Sequence, residues 1–268
     1  MSRPEWVPAE IDMDRPSAAR VYDFYLGGSH NFEADRRMAQ QALRLWPELP
    51  QIMQANRAFL RRAIRYVVSR GVVQLLDIGA GIPTAGSSHE VAQQVDPRAR
   101  VVYVDSDPVA VAHSKALLSA NPGATVLSAD LRDPDSILSA PAVLELIDFD
   151  QPVAVLLVAV LHFVSDQDQP AAVLAQLRDA VAPGSFLVIS HASSGGETDR
   201  AASHQKLYSQ TQTPMTMRSH AEVCRLFDGF DIVEPGVVPM PQWHPEIAPS
   251  DGAVLLRTPG FAGVGRKP

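Results

Sequence analysis

The sequence holds a single cysteine, Cys224, so no internal disulfide is available, and at 268 residues it can bury a core without such a staple. A lone cysteine points to a reducing compartment, and the expected location is the cytoplasm. Long apolar runs are missing: no stretch approaches the roughly 18 residues of a membrane span, and the opening MSRPEWVPAE has no signal-peptide core. Basic excess is missing too. With 23 Lys+Arg against 30 Asp+Glu the net charge is −7, which disfavours a protein that holds nucleic acid by neutralising phosphates. No H-x-x-x-H pair or cysteine cluster marks a metal site, and no G-x-x-x-x-G-K-[ST] loop marks a nucleotide triphosphate site. A small-molecule partner is what these absences leave.

What is present changes character along the chain. Residues 1–16, with Pro4, Pro8 and Pro16, read as an extended arm, with order beginning at Ser17 as the N-cap of a short helix through Leu26. Asn31 is placed to cap a second helix that Pro47 and Pro50 end, and a third covers about 51–70, with Ile52, Phe59, Leu60, Ala63 and Val67 on one face. Short apolar runs then alternate with helical segments, the pattern of a parallel sheet covered on both faces. The predicted strands are 73–78, 100–105, 125–128, 153–158 and 185–190, followed by a polar stretch, a helix near 219–228 and apolar runs at 230–234 and 252–257. Ser87 to Glu90 spells a capping box, and Asp107-Pro108 and Asp133-Pro134 each set a capping acid before a proline. Cys224, beside Val223 and Phe227, reads as core.

In such a sheet, ligands bind beyond the carboxyl ends of the strands. There the chain places Asp77-Ile78-Gly79-Ala80-Gly81, whose glycines allow close approach to backbone, then Asp105, suited to two ribose hydroxyls, and Asp130, suited to an adenine amine. Each has a plainer explanation as a tight turn, a cap or a turn acid. Their recurrence at three successive strand ends favours an adenosine site. Thr84 stands where a dinucleotide fingerprint needs its third glycine, which weighs against NAD and an oxidoreductase. S-adenosylmethionine carries no phosphate and fits better.

The run Leu75 to Gly81, Val104-Asp105, Ala129-Asp130 and Val160 to Val164 resembles the class I S-adenosylmethionine-dependent methyltransferases. More narrowly, Ala19 to Gly28, Asn31 to Arg36, Asn56 to Leu60, Gly81 to Thr84 and Tyr103 to Pro108 resemble an actinobacterial methyltransferase family long known as a domain of unknown function, over about residues 16–258. Pro83 departs from the G-x-G-x-G form of the wider class and agrees with the narrower family. The resemblance implies a Rossmann-like, seven-stranded, mostly parallel sheet of order 3-2-1-4-5-7-6 between helices. It also implies a helical N-terminal cap, with 1–70 as arm and cap and 71–268 as core in one structural unit. The cofactor would be S-adenosylmethionine and its product S-adenosylhomocysteine.

The expected cofactor contacts are Asp77, Gly79, Ala80, Gly81, Pro83, Thr84, Asp105, Ser106, Asp130, Leu131 and Ala159, joined from the cap by Arg20, Tyr22, Tyr25, Gly27 and Gly28 acting as a lid. The alternative for the lid is a helix merely packed on the sheet, with Arg20 and Asp23 paired locally. Methyl transfer needs a base only if the acceptor must lose a proton, and His162, His191, Asp23 and Tyr25 are the candidates. The expected reaction moves a methyl group to an O, N or C atom of a small molecule, with residues 191–218 near the acceptor. Two alternatives remain: a cofactor-binding regulator without transferase activity, and a nucleic-acid methyltransferase using the arginines at 57–65.

Overall fold

The computed structural model describes residues 11–83, 86–209, 211, 213–245 and 259–268. Its centre is a sheet built from β1 (Gln74–Ile78), β2 (Arg100–Asp105), β3 (Ala124–Ser128), β4 (Ala154–Val158), β5 (Phe186–Ala192), β6 (Asp231–Ile232), β7 (Val238–Pro239) and β8 (Gly260–Arg266). The order is β3-β2-β1-β4-β5-β8-β6, with β7 pairing only to β8. The first five strands pair in parallel; β8 runs antiparallel to β5, with Ile189 opposite Gly263. With the two-residue β7 set aside, this is the order the resemblance implied.

Alternation along the strands divides the core into two layers, because successive side chains leave opposite faces of a sheet. Leu75, Val101, Tyr103, Phe186 and Val188 pack on one side with residues of the N-terminal helices, whereas Leu76, Val102, Val104, Leu187 and Ile189 pack on the other. Those helices are α1 (Ala18–Tyr25), α2 (Glu33–Leu45) and α3 (Leu49–Val68). They are followed by α4 (Ser88–Val95), α5 (Pro108–Leu118), α6 (Pro134–Leu138), α7 (Pro141–Leu144), α8 (Pro170–Ala180), α9 (Thr198–Tyr208) and α10 (His220–Arg225).

Local signals place the helix starts well. Asp107 accepts from the amides of Val109 and Ala110, Asp133 accepts from Ser136, and Glu90 reaches back to the Ser87 amide at 3.1 Å. Four expectations need correction. Order begins before Ser17, since Ile11 is buried with Phe32, Ile82 and Val109. Asn31 does not cap α2; its amide donates to Asp23 and to the Gly28 carbonyl, while Asp35, three residues after the N-cap Phe32, receives the Phe32 amide. Pro50 opens α3 instead of ending α2, and Cys224 is only half-buried at the margin of its layer. The predicted run 252–257 lies outside the described residues, and the sheet is closed by Gly260–Arg266, a stretch whose glycines hide its strand character. Among the described residues no helix is long and apolar enough to cross a membrane.

Candidate functional site

Two cavities open beyond the carboxyl ends of the parallel strands. The larger, about 390 Å³, lies between α1 and the ends of β1 to β4. Asp77, Gly79, Ala80, Gly81, Asp105, Ser106, Asp130, Leu131 and Ala159 line it, as do Arg20 and Tyr22 from the cap. Gly79 adopts φ +73°, and a Cβ there would come within 2.2 Å of Val160, so β1 can turn beneath β4 only with glycine at that position. The amide of Gly81 donates to Asp105 at 2.7 Å, and that of Asp107 donates to the other oxygen at 2.8 Å, which aims the Asp105 carboxylate into the cavity mouth. Burial raises Asp105 to about 6 despite these bonds. Burial likewise raises Asp77 to about 6, opposed by a 2.5 Å bond from the Ser88 hydroxyl and by the nearby Arg57 guanidinium. Asp130 keeps its carboxylate ionised through a two-pronged pair with Arg132, which holds it below the usual range.

The second cavity, about 70 Å³, adjoins the first and shares Ala18, Tyr22, Asn56, Ala159 and Phe163 with it. A chain of hydrogen bonds braces this junction. The Asn56 amide donates to the Tyr22 hydroxyl (2.9 Å), Ser190 donates to Asn56 Oδ1 (2.6 Å), and the Ala159 amide donates to Ser190 Oγ (2.9 Å). Ala159 sits at φ +60°, a conformation that a residue with a side chain holds only when its surroundings impose it. Asn56 and Arg57 were missed as site residues by sequence reasoning. A signal was present: Asn56 is a polar residue on the apolar face of α3, one turn from Ile52 and from Leu60.

Several cap residues lie elsewhere than expected. Arg20 lines the large cavity, but its guanidinium is spent on Asp35 (2.9 Å) and on the carbonyl of Arg15 (2.6 Å), with Asp107 at 3.7 Å. It locks α1 to α2 and α5; the expected Arg20–Asp23 pair does not form. Gly27 and Gly28 line neither cavity, and their amides close the end of α1 by donating to Phe24 and Asp23 carbonyls. Asp23 also faces neither cavity, accepting instead from the His30 amide and from Asn31. Tyr25 belongs to the second cavity and not to the first. Pro83 stands outside both, and Thr84 lies outside the described residues.

Of the two predicted histidines, both line the second cavity, but their nitrogens are largely committed. His191 donates through Nδ1 to the Ala192 carbonyl (2.8 Å) and accepts at Nε2 from Arg218 (2.8 Å), which leaves no lone pair for a base. Burial lowers it to about 4, consistent with a neutral ring. His162 accepts at Nδ1 from the Ala192 amide over a long 3.4 Å, so its neutral ring carries the proton on Nε2. Burial and the neighbouring His191, Arg218 and His204 hold it well below the usual histidine range. Two of the arginines at 57–65 are engaged within the protein: Arg62 donates to the carbonyls of Trp243 and Met240, and Arg57 turns to the Ile82 carbonyl and the Tyr22 ring. Among the described residues no group of three or more metal-ligating side chains assembles.

Comparison with known proteins agrees with this geometry. The family model described as S-adenosyl methyltransferase matches residues 4–268. The chain belongs to that family. This methyltransferase is similar to a protein of Thermobifida fusca YX solved as a candidate methyltransferase, with 40% identity, TM-score 0.93, and coverage of 98% of this chain and 99% of that one. It is also similar to a DUF574 family protein of Streptomyces avermitilis MA-4680, with 37% identity, TM-score 0.91, and coverage of 96% and 99%. An O-methyltransferase family protein of Burkholderia thailandensis shares the fold alone, at 12% identity and TM-score 0.53 over 95% of this chain and 64% of that one. No protein of curated function matches. The cofactor of the family, S-adenosylmethionine, suits the large cavity. That cavity has the volume for a nucleoside with a short side chain, buried carboxylates facing into it, and glycine backbone where the ligand must come close.

Proposed function

We propose that the chain transfers the sulfonium methyl group of S-adenosylmethionine to an O, N or C atom of a small molecule seated in the second cavity. The observation that carries this reading is the junction: the two cavities share five lining residues, so a group in one stands directly against a group in the other. S-adenosylmethionine supplies an activated methyl group, and the protein's task is alignment and exclusion of water, which can contribute much of the rate. The braced Tyr22-Asn56-Ser190-Ala159 chain supports that task by making the junction rigid.

Within the large cavity, Asp105 would accept from the ribose hydroxyls, and Asp130 beside Leu131 would receive the adenine amine. Arg57 is the better partner than Arg20 for the methionine carboxylate, because Arg20 is held between Asp35, Asp107 and the Arg15 carbonyl while the buried Arg57 Nε has no hydrogen bond. Asp77, close enough to feel Arg57, would take the ammonium group. A small acceptor is favoured over nucleic acid because Arg57 and Arg62 are engaged with carbonyls of the protein.

The test combines calorimetry with a transfer assay. Asp105→Ala and Arg57→Met should each weaken S-adenosylhomocysteine binding by about tenfold or more, the loss of one buried charge-assisted contact. Met217→Trp, which fills only the second cavity, should leave that affinity in place and abolish methylation of a small-molecule extract. Unchanged affinity in the first two variants, or unimpaired transfer in the third, would sink the assignment.

A further inference from the structure

The second cavity also carries a chemical description of its occupant. Its lining among the described residues includes no Asp, Glu, Lys or Arg, and aromatic rings and methionines dominate it, including Trp46, Phe163, Met215 and Met217. Such walls receive a flat apolar ring, and the methionines adapt to its outline. A volume of about 70 Å³ excludes a fused ring system, and a single ring fits only by extending into the junction shared with the larger cavity.

Against this apolar background stand polar atoms with no partner. His204, on α9 and 3% exposed, has no hydrogen bond at either ring nitrogen, whereas the buried Tyr25 hydroxyl beside it is directed at Tyr208. Buried polar atoms are almost always satisfied, so two on one imidazole in the wall of a cavity call for a ligand that completes them. Burial lowers His204 to about 4, so its ring is neutral near pH 7, with one N–H and one open lone pair. The other two imidazoles cannot supply that lone pair. His191 is occupied at both nitrogens, and His162 presents Nε2–H. His204 stands face-tilted to Tyr208 (4.9 Å between centroids) and edge-on to Trp46 (5.9 Å), which fixes its plane without using its nitrogens.

Resting on the transferase reading above, we propose that the acceptor is a neutral, single-ring aromatic compound bearing a hydroxyl group, and that His204 recognises it by accepting the hydrogen bond of that hydroxyl. An anionic ring acid is disfavoured, since no cation lines the cavity to compensate its desolvation. A plain hydrocarbon is disfavoured because it would leave the His204 nitrogens unsatisfied. Hydrogen-bonding sites reject analogues that lack the bonding group much more strongly than apolar pockets reject a changed methyl.

The experiment uses the full chain saturated with S-adenosylhomocysteine, titrated with p-cresol, toluene and benzoate by calorimetry or ligand-observed NMR. The expected result is that p-cresol binds about tenfold or more tighter than toluene, and benzoate weakest. His204→Phe should erase the p-cresol preference while leaving S-adenosylhomocysteine affinity unchanged and without lowering the Tm of the free protein, because no protein group depends on the imidazole nitrogens. His204→Asn, which restores a hydrogen-bond acceptor, should recover part of the preference, and Met217→Trp should abolish binding of all three probes. Benzoate binding as tightly as p-cresol, a preference that survives His204→Phe, or no probe binding to the loaded protein would overturn the proposal. Failure of S-adenosylhomocysteine itself to bind would overturn the transferase reading, and the two failures are read from separate steps of the titration.

Discussion

At the scale of single residues, the cation that decides the most is one no motif marks. Arg218 is buried and donates to the carbonyls of Leu161 (3.0 Å) and Val164 (2.9 Å), to His191 Nε2 (2.8 Å) and to Asp166 (2.7 Å). It thereby holds the 3-10 turn at Leu161–Phe163, which delivers His162 and Phe163 to the second cavity. Arg218→Met would leave the Val164 carbonyl and His191 Nε2 buried without a donor. A loss of about 3 kcal/mol in urea unfolding is expected. Since Arg218 lines neither cavity, S-adenosylhomocysteine affinity should change little. A stability within about 0.5 kcal/mol of the parent would contradict the keystone role. The capping acids were readable beforehand because a cap needs only its own next three residues. The choice between Arg20 and Arg57 was not, because it turns on Asp35 and Asp107, which reach Arg20 from two other helices.

At the scale of elements, the strands that were legible are those with β-branched runs, such as β2 and β4, whose side chains fill both layers. β8 was not legible, and its packing explains why. A Cβ on Gly265 would approach Phe230 Cβ to 2.8 Å and Phe227 Cδ1 to 3.0 Å, so the aromatic pair occupies the space a side chain would need. Gly265→Ala should therefore destabilise the protein by about 2 kcal/mol through overpacking, measured as a lower urea midpoint at constant slope. An unchanged midpoint would mean that β8 yields easily. The helix α9 was read as polar loop for a related reason. Its buried residues Ala201, His204, Leu207 and Tyr208 form a stripe too narrow and too polar to stand out until the cavity they face is known.

At the scale of the whole molecule, the buried titratable groups set a pH dependence for both folding and binding. Asp77 and Asp105 have folded values near 6, above their ordinary carboxylate values, so between about 4 and 6 the folded state holds more protons than the unfolded one. These two groups therefore favour the fold on the acid side and weigh against it above pH 6. His162, His191 and His204, all lowered by burial, act in the other direction, since the unfolded chain takes up their protons as pH falls through about 6.5. The three histidines begin to titrate first and outnumber the two aspartates, so stability should fall from pH 7.5 to 5.5, with the aspartates offsetting only part of the loss. Cofactor affinity has no such compensation: a carboxyl that has gained a proton accepts a ribose or ammonium donor less well. S-adenosylhomocysteine binding should thus weaken from pH 7.5 to 5.5 in calorimetry, and Asp105→Asn should flatten part of the trend. An affinity independent of pH over that interval would remove both aspartates from the contact.

By itself the sequence determined the layered parallel sheet, the helix starts and the glycine-acid edge at Asp77, Gly79, Gly81, Asp105 and Asp130, because periodicity, caps and strand ends are properties of neighbouring residues. Only the tertiary structure decided which of several arginines stays available, which histidine keeps a lone pair, and that Gly27, Gly28 and Asp23 close the end of α1 and line neither cavity. Those outcomes depend on partners far along the chain: Asn56 meets Ser190, Arg20 meets Asp107, and His191 meets Arg218. A polar side chain's chemistry is what remains after its hydrogen bonds are assigned, and that assignment exists only once the chain has folded.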